Sequence, residues 1–507
     1  MQWGCMATNT PESAASEPDA YEALEERTKR LSYLGDARGV LGWDQRVMMP
    51  EGGAPARGKQ LSALMTVSHD LLTDDEVGEW LDELDGRDLD DDQQVLVREL
   101  RRRYERSDSV TSDLVAELTE TQSDAQQVWE DAKAAADFSQ FAPTLADLRD
   151  LHVERAEQID PGTDPYEVMF EDGEPYLPLD RVEEIFDTLR EELVPLVADI
   201  KDSDAEFTSP FAGEYDDDTQ MGLCREIVDR LGYDWNRGRL DTAPHPFMVG
   251  PQFDARITTR FTSDDPVDAM LSTIHEFGHA SYQHGLRDDA YGLPLGQSRS
   301  SGVHESQSRF WENHIGRTEA FWEYAVPFVN ERLGTDADPR AAYEAVNRIY
   351  PDNCIRVEAD ELTYHMHIIL RSDVEKAFVS GDLAVEDVPE RWNDLMEEYL
   401  GIRPETDAEG CLQDIHWTGG FGSFQNYTVG SVLAAQLDAT MREDLDVDGL
   451  VREGEFEPIR EWLTEHVHRH GQRYTTDELV EVATGEPLTA DYFVDYAREK
   501  FGDLYDL

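Results

Sequence analysis

The chain has 507 residues, of which 39% are hydrophobic, so it can bury one large core or form several ordinary domains. Its 110 acidic residues against 44 basic ones give a formal net charge of −66, and no basic patch suited to nucleic acid is visible. No stretch approaches the roughly eighteen consecutive apolar residues of a membrane span, and the N-terminus lacks the basic and apolar regions of a secretory signal.

The acidic residues are spread along the whole chain and do not form one tail, as the runs at 82–92 and 214–218 illustrate. A surface covered with carboxylates stays soluble in multimolar salt, where the screening length falls to about 3 Å and self-repulsion fades. We therefore expect a halophilic protein. Recruitment of basic partners is the alternative interpretation of the charge.

The four cysteines, Cys5, Cys224, Cys354 and Cys411, lie far apart and include no CxxC pair. They predict neither a disulfide framework nor a thiolate metal site, and they fit a reducing, cytoplasmic compartment. Residues 1–18 are predicted to be a flexible tail. Residues 19–507 contain no internal repeat and no long Pro/Gly/Ser linker, so we expect a single helical domain.

Helical periodicity begins at Ala20 and covers most of the chain. In residues 182–193 and 362–370, for example, apolar side chains recur three and four positions apart and form one inward-facing stripe. The exception is residues 253–261, where apolar and polar side chains alternate as in a short strand. The sequence therefore predicts a mainly α fold with a small β element just before the helix that carries the first motif.

That motif is His-Glu-Phe-Gly-His at 275–279. On a helix, His275 and His279 share one face, where each imidazole can give one nitrogen to the same metal ion. Glu276 flanks such an ion, and there it can take a proton from metal-activated water and pass it to a leaving amine. Gly278 costs about 1 kcal/mol in a helix interior, which close approach of a substrate or of a neighbouring strand would justify. The motif thus predicts a metallopeptidase.

An HExxH motif alone also occurs by chance, so a third ligand is needed. The metzincin continuation would place a histidine six residues after His279 with a glycine midway, but position 285 is Gly and position 282 is Tyr. This leaves an acidic ligand from a second helix. Glu305 is far enough along the chain for a loop and a returning helix, and Glu312 and Glu319 on the same predicted helix compete with it.

Further motifs lie on both sides of His-Glu-Phe-Gly-His. They are Trp-Asp at 43–44, Met-Met-Pro at 48–50, His-Pro-Phe at 245–247, Asp-Ala-Arg-Ile-Thr at 254–258, His-Glu-Ser-Gln at 304–307, Ile-Arg-Val-Glu-Ala-Asp at 355–360, Gly-Cys-Leu-Gln-Asp-Ile-His-Trp at 410–417 and Phe-Gly-Ser-Phe-Gln-Asn-Tyr at 421–427. Together with HEFGH they resemble the thermostable carboxypeptidase family of metallopeptidases, which is related in architecture to angiotensin-converting enzyme and the oligopeptidases. The resemblance covers roughly residues 20–507.

The resemblance implies a mainly helical homodimer with a deep groove that limits how substrates enter. It implies removal of C-terminal residues from peptides with broad specificity. It also implies Glu305 as the third ligand, with His275 and His279, and Zn²⁺ as the ion, while Co²⁺ also supports activity.

Hydrolysis at a free C-terminus needs hydrogen-bond donors for the oxyanion and a cation for the terminal carboxylate. His416 and Tyr427 are the predicted donors. Arg356 is the first choice for the carboxylate because a guanidinium can bind it in bidentate fashion, and Arg256 is the second. His245 is either a substrate contact or a residue that packs a turn.

Other polar residues near these motifs have plainer interpretations. Arg356 could instead pair with Glu358 or Asp360. Asp254 and Asp360 could hold the outer nitrogen of a ligand histidine or cap a helix. His304, His365 and His367 are expected to pack or to support the ligands without binding the ion.

Two other functions are compatible with part of the sequence. A metallo-oligopeptidase that cleaves short peptides internally would share the metal site but would not need a carboxylate clamp. A non-catalytic acidic scaffold with a structural metal would leave Glu276 without a role.

Overall fold

The computed structural model describes residues 19–507, so the predicted flexible tail of residues 1–18 lies outside the described residues. Within that range, nine helices precede a small sheet: α1 (Ala20–Val47), α2 (Ala54–Leu72), α3 (Asp75–Leu84), α4 (Asp91–Asp108), α5 (Ser112–Ala135), α6 (Ala142–Ile159), α7 (Pro165–Phe170), α8 (Leu179–Asp202) and α9 (Asp217–Leu231). The strands are β1 (Gly238–Thr242), β2 (Met248–Val249) and β3 (Ala255–Thr259).

The remaining described chain is again helical. Its helices are α10 (Pro266–Gly285), α11 (Ser301–Arg309), α12 (Glu319–Leu333), α13 (Pro339–Val346), α14 (Thr363–Val379), α15 (Val388–Leu400), α16 (Gln425–Asp444), α17 (Val447–Glu453), α18 (Glu457–His466), α19 (Thr476–Thr484) and α20 (Asp491–Tyr505). A π-helical stretch, Phe310–Gly316, continues α11. Within residues 19–507, no helix combines the length and the apolar character that a bilayer-spanning segment needs.

The predicted mainly α fold is confirmed. The periodic segment 182–193 lies in α8, whose apolar stripe is buried, and residues 363–370 of the second segment lie in α14. The acidic segment around 82–92 and the loop near 202–218 connect helices, and both α4 and α9 begin with an aspartate side chain that caps the first turn.

The predicted strand is confirmed as β3, the central strand of a three-stranded sheet. β1 runs parallel to β3 and β2 antiparallel to it. Phe253 precedes the strand and is 42% exposed, and Thr258, predicted on the polar face, is fully buried, so only residues 255–257 alternate as the sequence suggested. The hydroxyl of Thr259 donates to the carbonyl oxygen of Ala269 at 3.1 Å, which fixes β3 against α10.

Helices α10, α11 and α16 pack closely because glycines stand where they touch. A Cβ atom at Gly278 would lie 2.4 Å from the carbonyl oxygen of Gln307, and one at Gly430 would lie 2.5 Å from Cγ of Glu305. The close approach at Gly278 is therefore made by α11, and the expectation of a strand or a substrate at this position was wrong. These contacts determine where the side chains of α11 point.

Most buried apolar side chains form one large core, and a smaller cluster lies between α1, α3 and α4. A buried ion pair ties α4 to the main body, because the guanidinium of Arg299 donates to both carboxylate oxygens of Glu99 at 2.8 and 3.1 Å. This link supports the proposal that residues 19–507 form a single domain.

Glu174 anchors the start of α11 from inside the protein. Its side chain is fully buried and accepts a hydrogen bond from the backbone N–H of Gly302. Burial raises the pKa of Glu174 from 4.5 to about 7, although this hydrogen bond opposes the shift. The folded protein thus holds the Glu174 proton more tightly than the unfolded chain does.

This raised pKa predicts a pH dependence of stability. Ionisation of Glu174 should destabilise the fold as the pH rises from 4.5 to about 7, by about 1.4 kcal/mol for each pKa unit. We expect the difference in unfolding free energy to shift in favour of Glu174→Gln as the pH rises through this window. At higher pH this difference should stay constant. Unfolding free energies measured in denaturant at several pH values test this, and parallel pH profiles of the two proteins would contradict it.

Candidate active site

Three side chains of α10 and α11 converge at one point. Nε2 of His275 lies 3.8 Å and Nε2 of His279 lies 3.5 Å from Oε2 of Glu305. The three ligand atoms lie within 4.8 Å of one another, and no other group of three such side chains converges in residues 19–507. We call these three side chains the triad.

The outer nitrogens of both histidines are occupied. Nδ1 of His275 lies 2.9 Å from Oε2 of Glu312, and Nδ1 of His279 lies 3.1 Å from the carbonyl oxygen of His304. When Nδ1–H donates outward, the Nε2 lone pair is free and faces Glu305, as is usual for metal-binding histidines. Two imidazole nitrogens and one carboxylate oxygen are also a common donor set for a divalent ion. The residues present therefore fit the metal.

Arg309 holds the two carboxylates of this site in place. Its Nε donates to Oε1 of Glu305 at 2.7 Å and its Nη1 to Oε2 of Glu312 at 3.3 Å. Burial alone would raise the pKa of both glutamates, but Arg309 and His275 outweigh it and hold both pKa values well below the usual range. Both carboxylates thus remain ionised.

The sequence indicates Glu312 only as a competing ligand. The structure places its carboxylate on the far side of His275 from Glu305, in the π-helical stretch, a rare conformation that is frequent at functional sites. Glu319, the other competitor, lies on α12, half exposed, 3.6 Å from Arg340. Residues 305, 309 and 312 are spaced four and three positions apart, so on a helix they share one face and can contact one another. This spacing could have indicated from the sequence that Glu312 supports the ligands.

Replacing Glu312 with Gln should weaken metal binding without removing a ligand. Gln keeps the size and can still accept from His275, but it lacks the charge that raises the basicity of the imidazole. We expect about 10- to 100-fold weaker binding, the usual effect of losing a partner of a metal-binding histidine. Titration of metal-free protein with Zn²⁺ in a calorimeter measures this, and an unchanged dissociation constant would contradict the role.

Glu276 lies beside the triad on α10. Its side chain is buried, and its Oε2 has no hydrogen-bond partner within residues 19–507. Burial raises its pKa, and the charges of Glu305 and Glu312 act in the same direction, against those of the two histidines. A buried carboxylate with a free oxygen and a raised pKa is suited to accepting and releasing a proton.

Arg356 lies in a cavity of about 290 Å³ that Arg309, Glu312 and Tyr364 also line. Its Nε donates to Oδ2 of Asp414 at 2.7 Å and its Nη1 to the hydroxyl of Tyr364 at 3.2 Å. The plainer prediction that Arg356 pairs with Glu358 or Asp360 was therefore wrong.

The two predicted oxyanion donors take different positions. Tyr427 stacks edge-on with Tyr364 and lies in the field of Glu305, and burial raises the pKa of Tyr427, so its hydroxyl keeps its proton. His416 is 44% exposed, and its Nδ1 contacts Asp414, the partner of Arg356. Tyr427 thus packs beside Tyr364, which lines the cavity of Arg356, and His416 contacts the aspartate that holds Arg356.

Two predicted substrate-binding residues are not brought together with the triad. Arg256 forms a bidentate pair with Asp254 at 2.9 and 2.7 Å and lies 4.3 Å from the ring centroid of Trp43. His245 is exposed on the loop between β1 and β2. Their contacts with substrate stay predictions.

The supporting roles suggested for two aspartates are resolved by their hydrogen bonds. Asp254 pairs with Arg256 and contacts neither ligand histidine, so both roles suggested for it were wrong. Asp360 accepts from the backbone N–H groups of Leu362 and Thr363, which agrees with the helix-capping alternative.

The three histidines expected to support or pack are placed accordingly. Nδ1 of His304 lies 2.6 Å from Nδ1 of His279. His365 is buried with its Nδ1 3.0 Å from the hydroxyl of Thr428, and His367 is also buried. Neither of these two belongs to the triad.

The helical fold and the HExxH site together define a helical metallopeptidase. The family model of the carboxypeptidase Taq (M32) metallopeptidases matches residues 23–501. The chain is 38% identical to carboxypeptidase 1 of Bacillus subtilis over 94% of its own length and 97% of that protein. It is 37% identical to thermostable carboxypeptidase 1 of Thermus thermophilus over 98% of its own length and 100% of that protein.

A solved structure supports the same family assignment. The M32 carboxypeptidase of Deinococcus radiodurans superposes with a TM-score of 0.93 at 36% identity, covering 97% of this chain and 100% of that one. The chain therefore belongs to the carboxypeptidase Taq (M32) metallopeptidase family, and its activity is that of a metal-dependent carboxypeptidase. The resemblance and the fold class predicted from the sequence are confirmed. Family membership also favours this activity over the oligopeptidase and scaffold alternatives.

Proposed function

We propose that the protein is a zinc carboxypeptidase in which His275, His279 and Glu305 hold the ion and Glu276 is the general base. The observation that carries this proposal is the convergence of the triad beside a buried glutamate oxygen that has no partner within residues 19–507. The donor set suits Zn²⁺. That Co²⁺ also supports activity stays a prediction.

Each residue then has a defined task. An ion held by the triad supplies Lewis-acid chemistry towards a peptide carbonyl and towards water. Glu276 takes a proton from the attacking water on Oε2 and delivers it to the amide nitrogen of the departing amino acid. Tyr427 donates its hydroxyl hydrogen towards the oxyanion, and His416 is the second proposed donor.

We propose Arg356 as the group that binds the C-terminal carboxylate of the substrate. It is supported by its position in a cavity that Glu312 and Arg309 also line, the two residues that contact His275 and Glu305. Asp414 and Tyr364 hold that guanidinium in one orientation, so less side-chain entropy is lost when a carboxylate binds. Arg256 and His245 remain secondary proposals.

The test compares a short peptide with a free C-terminus against the same peptide ended by an amide. A carboxylate clamp predicts that amidation lowers kcat/KM strongly, because Arg356 then loses its charged partner. Arg356→Gln should raise KM for the free peptide and narrow the difference between the two substrates. Equal hydrolysis of both peptides by the wild type would overturn the clamp.

We further propose that the protein is a halophilic, cytoplasmic homodimer with broad specificity for peptides. The acidic residues spread over the chain support the first property, the scattered cysteines support the second, and the family resemblance supports the last two. Light scattering of the purified protein measures the oligomeric state.

Salt adaptation predicts a loss of structure at low salt. When the salt concentration falls from molar to about 0.1 M, the screening length grows from about 3 to about 10 Å, so the carboxylates repel one another more strongly. Circular dichroism recorded across this range should show unfolding. Unchanged stability would count against the proposal.

A further inference from the structure

A second, larger cavity reaches His304, the neighbour of His279. It has a volume of about 640 Å³ and is lined by one face of α1, one face of α4, residues 249–252, residues 296–301 and His304. His304 connects the cavity to the triad through its contact with His279. The cavity with Arg356 is lined instead by Glu312 and Arg309, which contact His275 and Glu305. A peptide held at Arg356 by its terminal carboxylate would therefore extend its N-terminal part into the larger cavity.

Most charged side chains that line this cavity already have partners. Glu99 is held by Arg299. Asp172 is held by two arginines outside the cavity, at 2.6 and 2.8 Å. Asp36 accepts a hydrogen bond from the hydroxyl of Tyr291 at 2.6 Å. Arg299 is therefore occupied by Glu99, and the acidic side chains are themselves ion-paired or hydrogen-bonded, so none of these groups offers a free cation to an anionic ligand.

Two other guanidinium groups that line the cavity, both on α4, have no carboxylate partner in the described part of the chain. Arg103 lines the cavity, and within residues 19–507 its guanidinium has neither a salt bridge nor a hydrogen bond. Desolvation lowers the pKa of this guanidinium, and the charge of Glu99 opposes that shift without a direct contact. Arg102 beside it lines the same cavity and donates to the backbone carbonyl oxygen of Glu171, without a carboxylate partner in the described part of the chain. In a chain with 110 acidic and 44 basic residues, cations without carboxylate partners inside a groove are available for an anionic ligand.

We propose that Arg103, with Arg102 beside it, forms an anion subsite that selects peptides with an acidic side chain N-terminal to the scissile bond. The proposal rests on the carboxypeptidase function and on Arg356 as the clamp. A guanidinium binds a carboxylate through paired N–H groups, and the walls of a cavity strengthen that attraction. The subsite would also offset the repulsion that an acidic peptide meets from a chain with a net charge of −66.

The experiment uses five-residue peptides with a free C-terminus that differ in a single Glu, Gln or Lys, placed in turn at each upstream position. Values of kcat/KM are measured at the lowest salt concentration at which circular dichroism shows the folded protein. We expect the wild type to prefer Glu at one position by about three- to fivefold, the size of a partly exposed ion pair. Arg103→Gln should remove this preference, and Arg103→Glu should reverse it, so that Lys is preferred to Gln there.

Arg38→Gln is the matched control. Arg38 lies on α1, is exposed and does not line the cavity, so this variant should keep both the activity and the preference for Glu. Equal kcat/KM for Glu and Gln peptides at every position would overturn the subsite and leave the carboxypeptidase function intact. Loss of the preference in Arg38→Gln would also overturn it, because a general charge effect would then explain the selectivity. If the wild type released no amino acid from any peptide, both proposals would fall.

Discussion

Glu276→Gln should abolish hydrolysis while the protein still binds its metal. Gln keeps the size of the side chain but cannot accept the proton of the attacking water, and loss of a general base typically lowers kcat by about 10²- to 10⁴-fold. Glu276 is not a member of the triad, so the three ligand side chains stay in place. Release of free amino acids from a peptide, measured together with metal content, tests both parts of the expectation.

A second glutamate provides the control for this substitution. Glu331 on α12 is exposed and forms no salt bridge within residues 19–507, so Glu331→Gln removes the same charge without touching the site. It should hydrolyse peptides at the wild-type rate. Normal activity of Glu276→Gln would refute the proposed base, and loss of its metal would mean that Glu276 helps to hold the ion.

Gly278→Ala should destabilise the protein and disturb the triad. The new Cβ would lie 2.4 Å from the carbonyl oxygen of Gln307 and 2.5 Å from Cα of Ser308. Both atoms belong to the backbone of α11, so no side-chain rotation relieves the clash, and the two helices must move apart. Overpacking of this kind costs about 1–3 kcal/mol. Since α11 carries Glu305, we expect weaker metal binding as well.

The control uses another helical glycine. A Cβ atom at Gly502 in α20 would meet no other part of the described chain within 4 Å, so Gly502→Ala should be neutral or stabilising by up to about 1 kcal/mol. Denaturant unfolding of both variants gives the two free energies. Equal stability of Gly278→Ala and the wild type would show that the contact between α10 and α11 can relax.

Much of the fold followed from local patterns in the sequence. Apolar periodicity predicted about half of α8 and of α14, alternation predicted β3, and the spacing of His275 and His279 predicted that both face one ion. These properties depend on residues close together in the chain, where helix and strand geometry alone determines which side chains share a face.

The supporting contacts could not be predicted in the same way. Glu305 and Glu312 both lie on the returning helix, and their positions around His275 depend on how that helix packs against Gly278 and Gly430. Arg356 pairs with Asp414, 58 positions along the chain, and not with an acidic neighbour in its own motif. Such choices are made by tertiary packing, which spacing along the sequence does not encode.

Reconstitution of metal-free protein is the most direct test of the central claim that a metal held by His275, His279 and Glu305 supports carboxypeptidase activity. The rate of C-terminal amino acid release is followed as Zn²⁺ is added to chelator-treated protein. We predict that activity returns in proportion to the metal, is complete at one ion per chain, and does not return in Glu305→Gln at the same concentrations. Full activity of the metal-free protein, or normal reconstitution of Glu305→Gln, would contradict this account.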